Sequence, residues 1–184
     1  MTTTTTDENP SLLRRLAHRW PTLAALPLIA ASLYNIDDVR GLAFLLVLSP
    51  LGYLVPAAYN RPGITWPAVL IGSVAIAPFK ILDLNPSYAL LVASAVFVAI
   101  GVARRAPGFG VQVVAAVLFA VAAVIAIEAG SLTLGGAFVA LGLLAHAAWD
   151  LYHHRHNRVV PRSYAEWCGV VDLVLGVVAI VLIF

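Results

Sequence analysis

Apolar runs long enough to cross a bilayer recur along almost the whole chain, and only short segments separate them. A spanning helix needs roughly 20 residues. On that basis seven candidates fall at about 17–37, 41–60, 64–82, 87–103, 109–129, 132–154 and 164–184. Between them stand "NIDDVR", "NRPG", "DLNPS", "RRAPG", "EAGS" and "RHNRVVPRS", all charged or turn-forming. The pattern predicts an all-α fold, a polytopic membrane bundle of seven transmembrane helices. Composition agrees: 11% of residues are charged and 61% hydrophobic, where a soluble domain carries about a quarter charged residues.

Residues 1–11, "MTTTTTDENPS", are polar and without periodicity and read as a disordered tail. Residues 12–184 form one domain. The run from Pro21 to Tyr34 has the look of a secretory leader, but everything downstream is equally apolar, so an uncleaved first helix is expected. No internal repeat is visible, which counts against inverted-repeat transporter folds. The single cysteine, Cys168, excludes an internal disulfide.

Cations set the orientation. With the N-terminus cytoplasmic, the inside segments hold Arg14, Arg15, Arg19, Arg61, Arg104, Arg105, Arg155, Arg158 and Arg162. The outside segments hold Arg40 and Lys80 alone. Such a bias, alternating through seven spans, is the positive-inside pattern and predicts a cytoplasmic N-terminus and an outside C-terminus. A miscounted helix would scramble it. One lysine against ten arginines suggests a GC-rich bacterial genome, hence the bacterial inner (plasma) membrane.

Ionisable groups inside spans are costly and mark protein-facing or water-filled places. On the sixth candidate helix His146, Asp150 and His153 recur at i, i+4 and i+7, with His154 within reach of Asp150. Gly135 and Gly142 share that face and permit close helix approach. The seventh helix carries a matching stripe of Cys168, Asp172, Gly176 and Ala179. A short connection makes the two helices antiparallel neighbours, which sets His146 near the depth of Asp172 and Asp150 near Cys168. Histidine and carboxylate are ligands for zinc or non-haem iron. The predicted metal ligands are therefore His146, Asp150, His153, His154 and Asp172, with Zn or Fe as the ion. Metal-free acid–base work by His146, Asp150 and Asp172 is the other chemical reading. On the second helix Ser49, Tyr53, Pro56 and Asn60 form a polar stripe, and Tyr53 is placed to donate to a substrate oxygen. Gln112 is a lesser candidate.

Plainer readings stand beside these. His153, His154 and His156, next to Arg155 and Arg158, suit a basic cluster meeting lipid phosphates. His146–Asp172 suits a hydrogen bond between helices. Glu166 and Cys168 read as an interface residue and a small buried residue. Ser49 and Tyr53 suit the carbonyls freed in a proline-kinked helix. At the outer ends Asn35, Asp37, Asp38, Arg40, Lys80, Asp83 and Glu128 suit capping, with Lys80 pairing Asp37 or Asp38.

The last helix has no lysine for a retinal Schiff base, and no nucleotide-binding loop or nucleic-acid-binding stripe is present. Seven helices with a His/Asp site resemble, in architecture, the progestin and adiponectin receptor and alkaline ceramidase group, whose site holds zinc. That group carries Ser and His on helix two and paired histidines on helix seven. Here helix two has Ser49 without histidine and helix seven has no histidine, so the likeness stops short of the motif. The expected function is a membrane-embedded enzyme acting on a lipid or isoprenoid, a metal-dependent hydrolase or an acid–base isomerase or cyclase. Its site is expected in the cytoplasmic half of the bundle between helices two, six and seven, with membrane lipids and a lipophilic small molecule as partners. A proton- or ion-coupled transporter and a non-catalytic scaffold or subunit are the alternatives. A cavity opening inward and sideways favours the enzyme, a two-ended path transport, and dry packed stripes the scaffold.

Overall fold

The computed structural model describes residues 19–34, 38–82 and 84–183, apart from the side chain of Lys80. The expected tail, Arg14, Arg15, Asn35, Asp37, Asp83 and the pairing of Lys80 lie outside the described residues. All regular structure among the described residues is helical: α1 Trp20–Tyr34, α2 Leu45–Tyr59, α3 Thr65–Ile81, α4 Pro86–Ala103, α5 Phe109–Glu128, α6 Leu132–His156 and α7 Arg162–Ile183. Two 3₁₀ turns, Val39–Leu42 and Pro62–Ile64, lead into α2 and α3.

Six stretches are long and apolar enough to cross a membrane, the first running from Val39 to Tyr59 and the other five corresponding to α3 through α7. Helix α1, with 15 residues, reaches about 22 Å at the α-helical rise, less than the ~30 Å of a hydrocarbon core. The polar breaks end helices for local reasons. Asn60 and Asn157 take left-handed backbone at the ends of α2 and α6, a conformation asparagine tolerates better than most residues. Asn85 accepts a hydrogen bond from Ser87 N with Pro86 in the first turn, and Ser131 accepts from Leu134 N, so α4 and α6 start on capped ends.

Helix α2 is the centre of the bundle. In an 18-residue window of Val39–Tyr59, 83% of residues are buried, against 17% to 39% in the other spanning stretches. Around it α3 to α7 turn apolar faces outward, including Leu70, Val74, Val114, Leu118, Leu141 and Val181. An apolar exterior of this extent suits lipid, since soluble monomers rarely expose so large a patch. Helices α6 and α7 form the most extensive pair, as their short connection requires, and α1 packs on α7. Two glycines let helices close on one another near the site. A Cβ on Gly52 of α2 would overlap the Tyr164 hydroxyl of α7, and one on Gly169 of α7 would lie 3.2 Å from the Asp150 Cβ of α6.

At the far end of the bundle Asp38 meets Arg40: its carboxylate accepts from Arg40 N at 2.6 Å and from Arg40 Nη2 at 2.8 Å. Those bonds, with the guanidinium charge, hold the Asp38 carboxyl below the usual carboxylate range. Arg40 Nη1 also donates to Ala129 O at 3.3 Å, and the Tyr88 hydroxyl donates to Glu128. These charges therefore tie helix ends together.

Candidate functional site

Four chemistry-bearing side chains from α6 and α7 meet in the interior. His146 and Asp150 stand one turn apart on α6, and Cys168 and Asp172 one turn apart on α7. The helices run antiparallel, so the two pairs interleave at one depth. One ligand atom from each of the four lies within 4.8 Å of all the others. None of the four is more than 1% exposed.

The imidazole organises the group. His146 Nδ1 lies 2.7 Å from Asp172 Oδ2 and 3.2 Å from Asp150 Oδ2, so a single N–H is shared between two carboxylates. Around them stand donors from elsewhere. The Tyr53 hydroxyl of α2 donates to Asp150 Oδ1, and Ser49 Oγ lies 3.5 Å from Asp172 Oδ1. Cys168 Sγ lies 3.8 Å from Asp172 Oδ2 and 3.6 Å from the Tyr164 hydroxyl, which in turn donates to Ser49 O at 3.2 Å. The polar stripe of α2 is thus spent on the two aspartates. The helix, with Pro50 and Pro56 inside it, holds Tyr53 and Ser49 toward another element, and Tyr53 meets a carboxylate where the sequence suggested a substrate oxygen.

Two features set this group apart from an ordinary interhelical hydrogen bond. Both carboxylates are fully buried, yet their partners among the described residues are a histidine, two hydroxyls and a thiol, with no arginine or lysine. Burying carboxylates is costly unless positive charge or hydrogen bonds compensate. Second, His146 Nε2 is buried without a hydrogen-bond partner among the described residues, although with Nδ1 facing the aspartates it is not the nitrogen that would meet an ion between them. An N, O, O, S donor set is one that zinc or iron accepts. A tetrahedral ion with bonds of about 2.0–2.3 Å keeps its donors about 3.3–3.8 Å apart, so the His146–Asp172 pair needs to open by about half an ångström. The cluster could therefore hold a metal ion.

His153 and His154 do not join it, for a reason of helix geometry. His153 keeps nearly the azimuth of His146, but seven residues move it about 10 Å along the axis. Its Nδ1 donates to Trp149 O at 3.0 Å, and its Nε2 faces Gln112 Nε2 at 3.3 Å. His154 is turned off the face and stands 4.0 Å from Glu166, its side chain 39% exposed. Glu166 accepts from Thr22 Oγ1 at 2.6 Å and sits beside Arg19, so it is an interface residue between α1 and α7. Cys168, set down from sequence as a small buried residue, takes the place beside the aspartates that the two histidines were expected to fill. The signal for it was present: Tyr164, Cys168 and Asp172 recur every four residues on one face of α7.

Two cavities flank the group without exposing it. A groove of about 640 Å³ lies on the outer side of α5 and α6, lined by Val114, Leu118, Phe119, Leu141, Gly142 and Ala145 among others. The Phe119 ring, 4.8 Å from the His146 ring centre to centre, stands between that groove and the imidazole. A second cavity of about 910 Å³ opens at the end where α2 and α6 terminate, with Asn60, Arg61, Gln112, His153 and Arg158 on its walls. The Tyr53 and His153 rings pack 4.8 Å apart, between this cavity and Asp150.

Tyr53→Phe removes the one hydroxyl that donates to Asp150 while keeping the packing. Partners that orient metal ligands are worth about 10- to 100-fold in metal affinity or activity. The expected result is a loss in that range, measured by metal titration of the purified protein, with folding stability lowered by about 1–3 kcal/mol because a buried carboxylate loses a donor. Compared with models of known protein families, with characterised proteins and with solved structures, the chain matches none.

Proposed function

We propose that this is a multi-pass protein of the bacterial inner (plasma) membrane, with seven spans, a cytoplasmic N-terminus and an outside C-terminus. In this reading it is a metal-dependent enzyme acting on a lipid or isoprenoid. His146, Asp150, Cys168 and Asp172 hold one zinc or iron ion, Tyr53 and Ser49 orient the aspartates, and Phe119 divides the centre from the lipid-facing groove. The observation that carries the proposal is the pair of fully buried carboxylates around one imidazole and one thiol, without an arginine or lysine beside them among the described residues. A divalent cation offsets that charge. If one of the four donors leaves a coordination position open, the ion would supply Lewis acidity and a water nucleophile at neutral pH, while the chain's own groups position substrate and exclude bulk water.

The cavities favour an enzyme over a transporter. One groove opens sideways where lipid would lie and one cavity opens inward, so a lipophilic substrate can come up to the Phe119 ring on one side and the Tyr53 and His153 rings on the other, which must move for it to reach the centre. Toward the outer pair of Asp38 and Arg40 the core is apolar. Leu46, Val139, Leu143 and Leu175 are fully buried there, and Leu46 packs on Gly142. That layer offers no polar path to the other side.

The test is a bacterial lipid extract incubated with wild type and with Asp150→Ala, read by mass spectrometry. Wild type is expected to convert at least one lipid class, with loss of that conversion in the variant and on chelation. An extract left unchanged by metal-loaded wild type would remove the enzymatic reading.

A further inference from the structure

We propose that the inward cavity and the sideways groove form one amphipathic site for an anionic lipid whose headgroup carries both a phosphate and a hydroxyl. The proposal rests on the membrane reading above, and it gives the lipophilic substrate its chemistry. The two spaces share walls at Val111, Ala145 and Trp149, so one ligand can occupy both. The groove side is apolar, and Val114, Leu118 and Leu141 on it are each more than 60% exposed, as a surface open to lipid requires. That half suits an acyl or prenyl chain.

The other half is polar and positively charged. Arg61, from the α2–α3 turn, and Arg158, from the α6–α7 connection, stand on its rim, both exposed and without an acidic partner among the described residues. Guanidinium groups bind phosphate through paired N–H donors, and basic groups at this level of a bilayer meet lipid phosphates. Deeper in the same cavity lies Gln112, only 5% exposed, whose Oε1 has no hydrogen-bond partner. The tautomer of His153 fixes the role of that oxygen. Nδ1 of His153 faces the Trp149 carbonyl and must carry the proton, so Nε2 accepts, and it accepts from the Gln112 amide nitrogen. Gln112 Oε1 is left as a buried acceptor that calls for a donor, as a headgroup hydroxyl supplies. No acidic residue lines the cavity. A zwitterionic choline headgroup would bring a quaternary ammonium that meets two guanidinium groups and offers no donor to Gln112.

The full-length protein in detergent, incubated with equal amounts of phosphatidylglycerol and phosphatidylcholine of matched acyl chains, is read by native mass spectrometry. Wild type should retain phosphatidylglycerol in preference by about tenfold, and the double variant Arg61→Gln/Arg158→Gln should lose most of that preference. Gln112→Leu should weaken phosphatidylglycerol while leaving phosphatidate, which lacks the headgroup hydroxyl, unchanged. Soluble glycerol 3-phosphate at the same concentration should not compete, because it lacks the chain that fills the groove. Equal retention of the two lipids, an unchanged preference in the double variant, or competition by glycerol 3-phosphate would each overturn the assignment. Metal content measured on the same samples keeps the two ideas separate. Retained metal with no lipid preference removes the lipid site alone, and lipid preference without metal removes the metal centre alone.

Discussion

Asp172→Asn is expected to abolish metal binding and any turnover while the bundle stays folded. Asparagine matches aspartate in shape, and its carbonyl can still accept from His146 or Ser49, which now lie 2.7 and 3.5 Å from the carboxylate oxygens. The charge and the anionic ligand are lost. The readout that separates metal binding from packing is chelator sensitivity. An ion held at about a thousand times its dissociation constant stabilises the folded state by about 4 kcal/mol. Wild type should therefore lose about that much on chelation, and Asp172→Asn should lose nothing further. If chelation leaves the thermal unfolding of wild type unchanged, the cluster is a hydrogen-bonded network and not a metal centre.

Gly52→Ala is the second large effect, and it acts through packing alone. Helices α2 and α7 approach so closely there that the new Cβ would overlap the Tyr164 hydroxyl. Tyr164 is 1% exposed and donates to Ser49 O, one turn from Gly52 on the same helix. The ring has little room to move, because Trp66, Trp167 and Tyr53 pack around it at centroid distances of 5.4–5.9 Å from one another or from it. Overpacking of this kind costs about 1–3 kcal/mol, to be read as a lowered unfolding midpoint. Because Tyr164 touches Cys168 and Ser49, metal affinity should fall as well. The double variant Gly52→Ala/Tyr164→Phe removes the colliding oxygen and should recover part of both losses. Wild-type stability in Gly52→Ala would mean that the two helices are free to separate there.

Much of this architecture is legible in the sequence because membrane helices announce themselves by length and by what interrupts them. The breaks at "NRPG", "EAGS" and "RHNRVVPRS" are where the chain leaves a helix, and the asparagines of the first and last do it with left-handed backbone. The depth match between His146 and Asp172 also follows from a short connection and a fixed rise per residue. Azimuth and depth must agree together, however, and that is where His153 and His154 fell out. A repeat at i and i+7 puts two side chains on one face, but about 10 Å apart along the axis, too far for one ion. Cys168 was hard to value because a single thiol in an apolar helix looks the same whether it packs or binds. The short connection already set it near the depth of Asp150, and the structure brings it within 3.8 Å of Asp172 Oδ2 as well. Tyr53 and Ser49 were visible as a stripe on α2, expected to wall the site beside helices six and seven, but that they are spent on Asp150 and Asp172 depended on α2 lying at the centre of the bundle. No periodicity in its own sequence encodes that position.

The most direct measurement is the metal content of the full-length protein, purified without chelators, beside His146→Ala and Asp150→Ala. The account predicts about one zinc or iron per chain in wild type and loss of that metal in both variants, each still folded by thermal unfolding. Wild type carrying as little metal as the variants would contradict it.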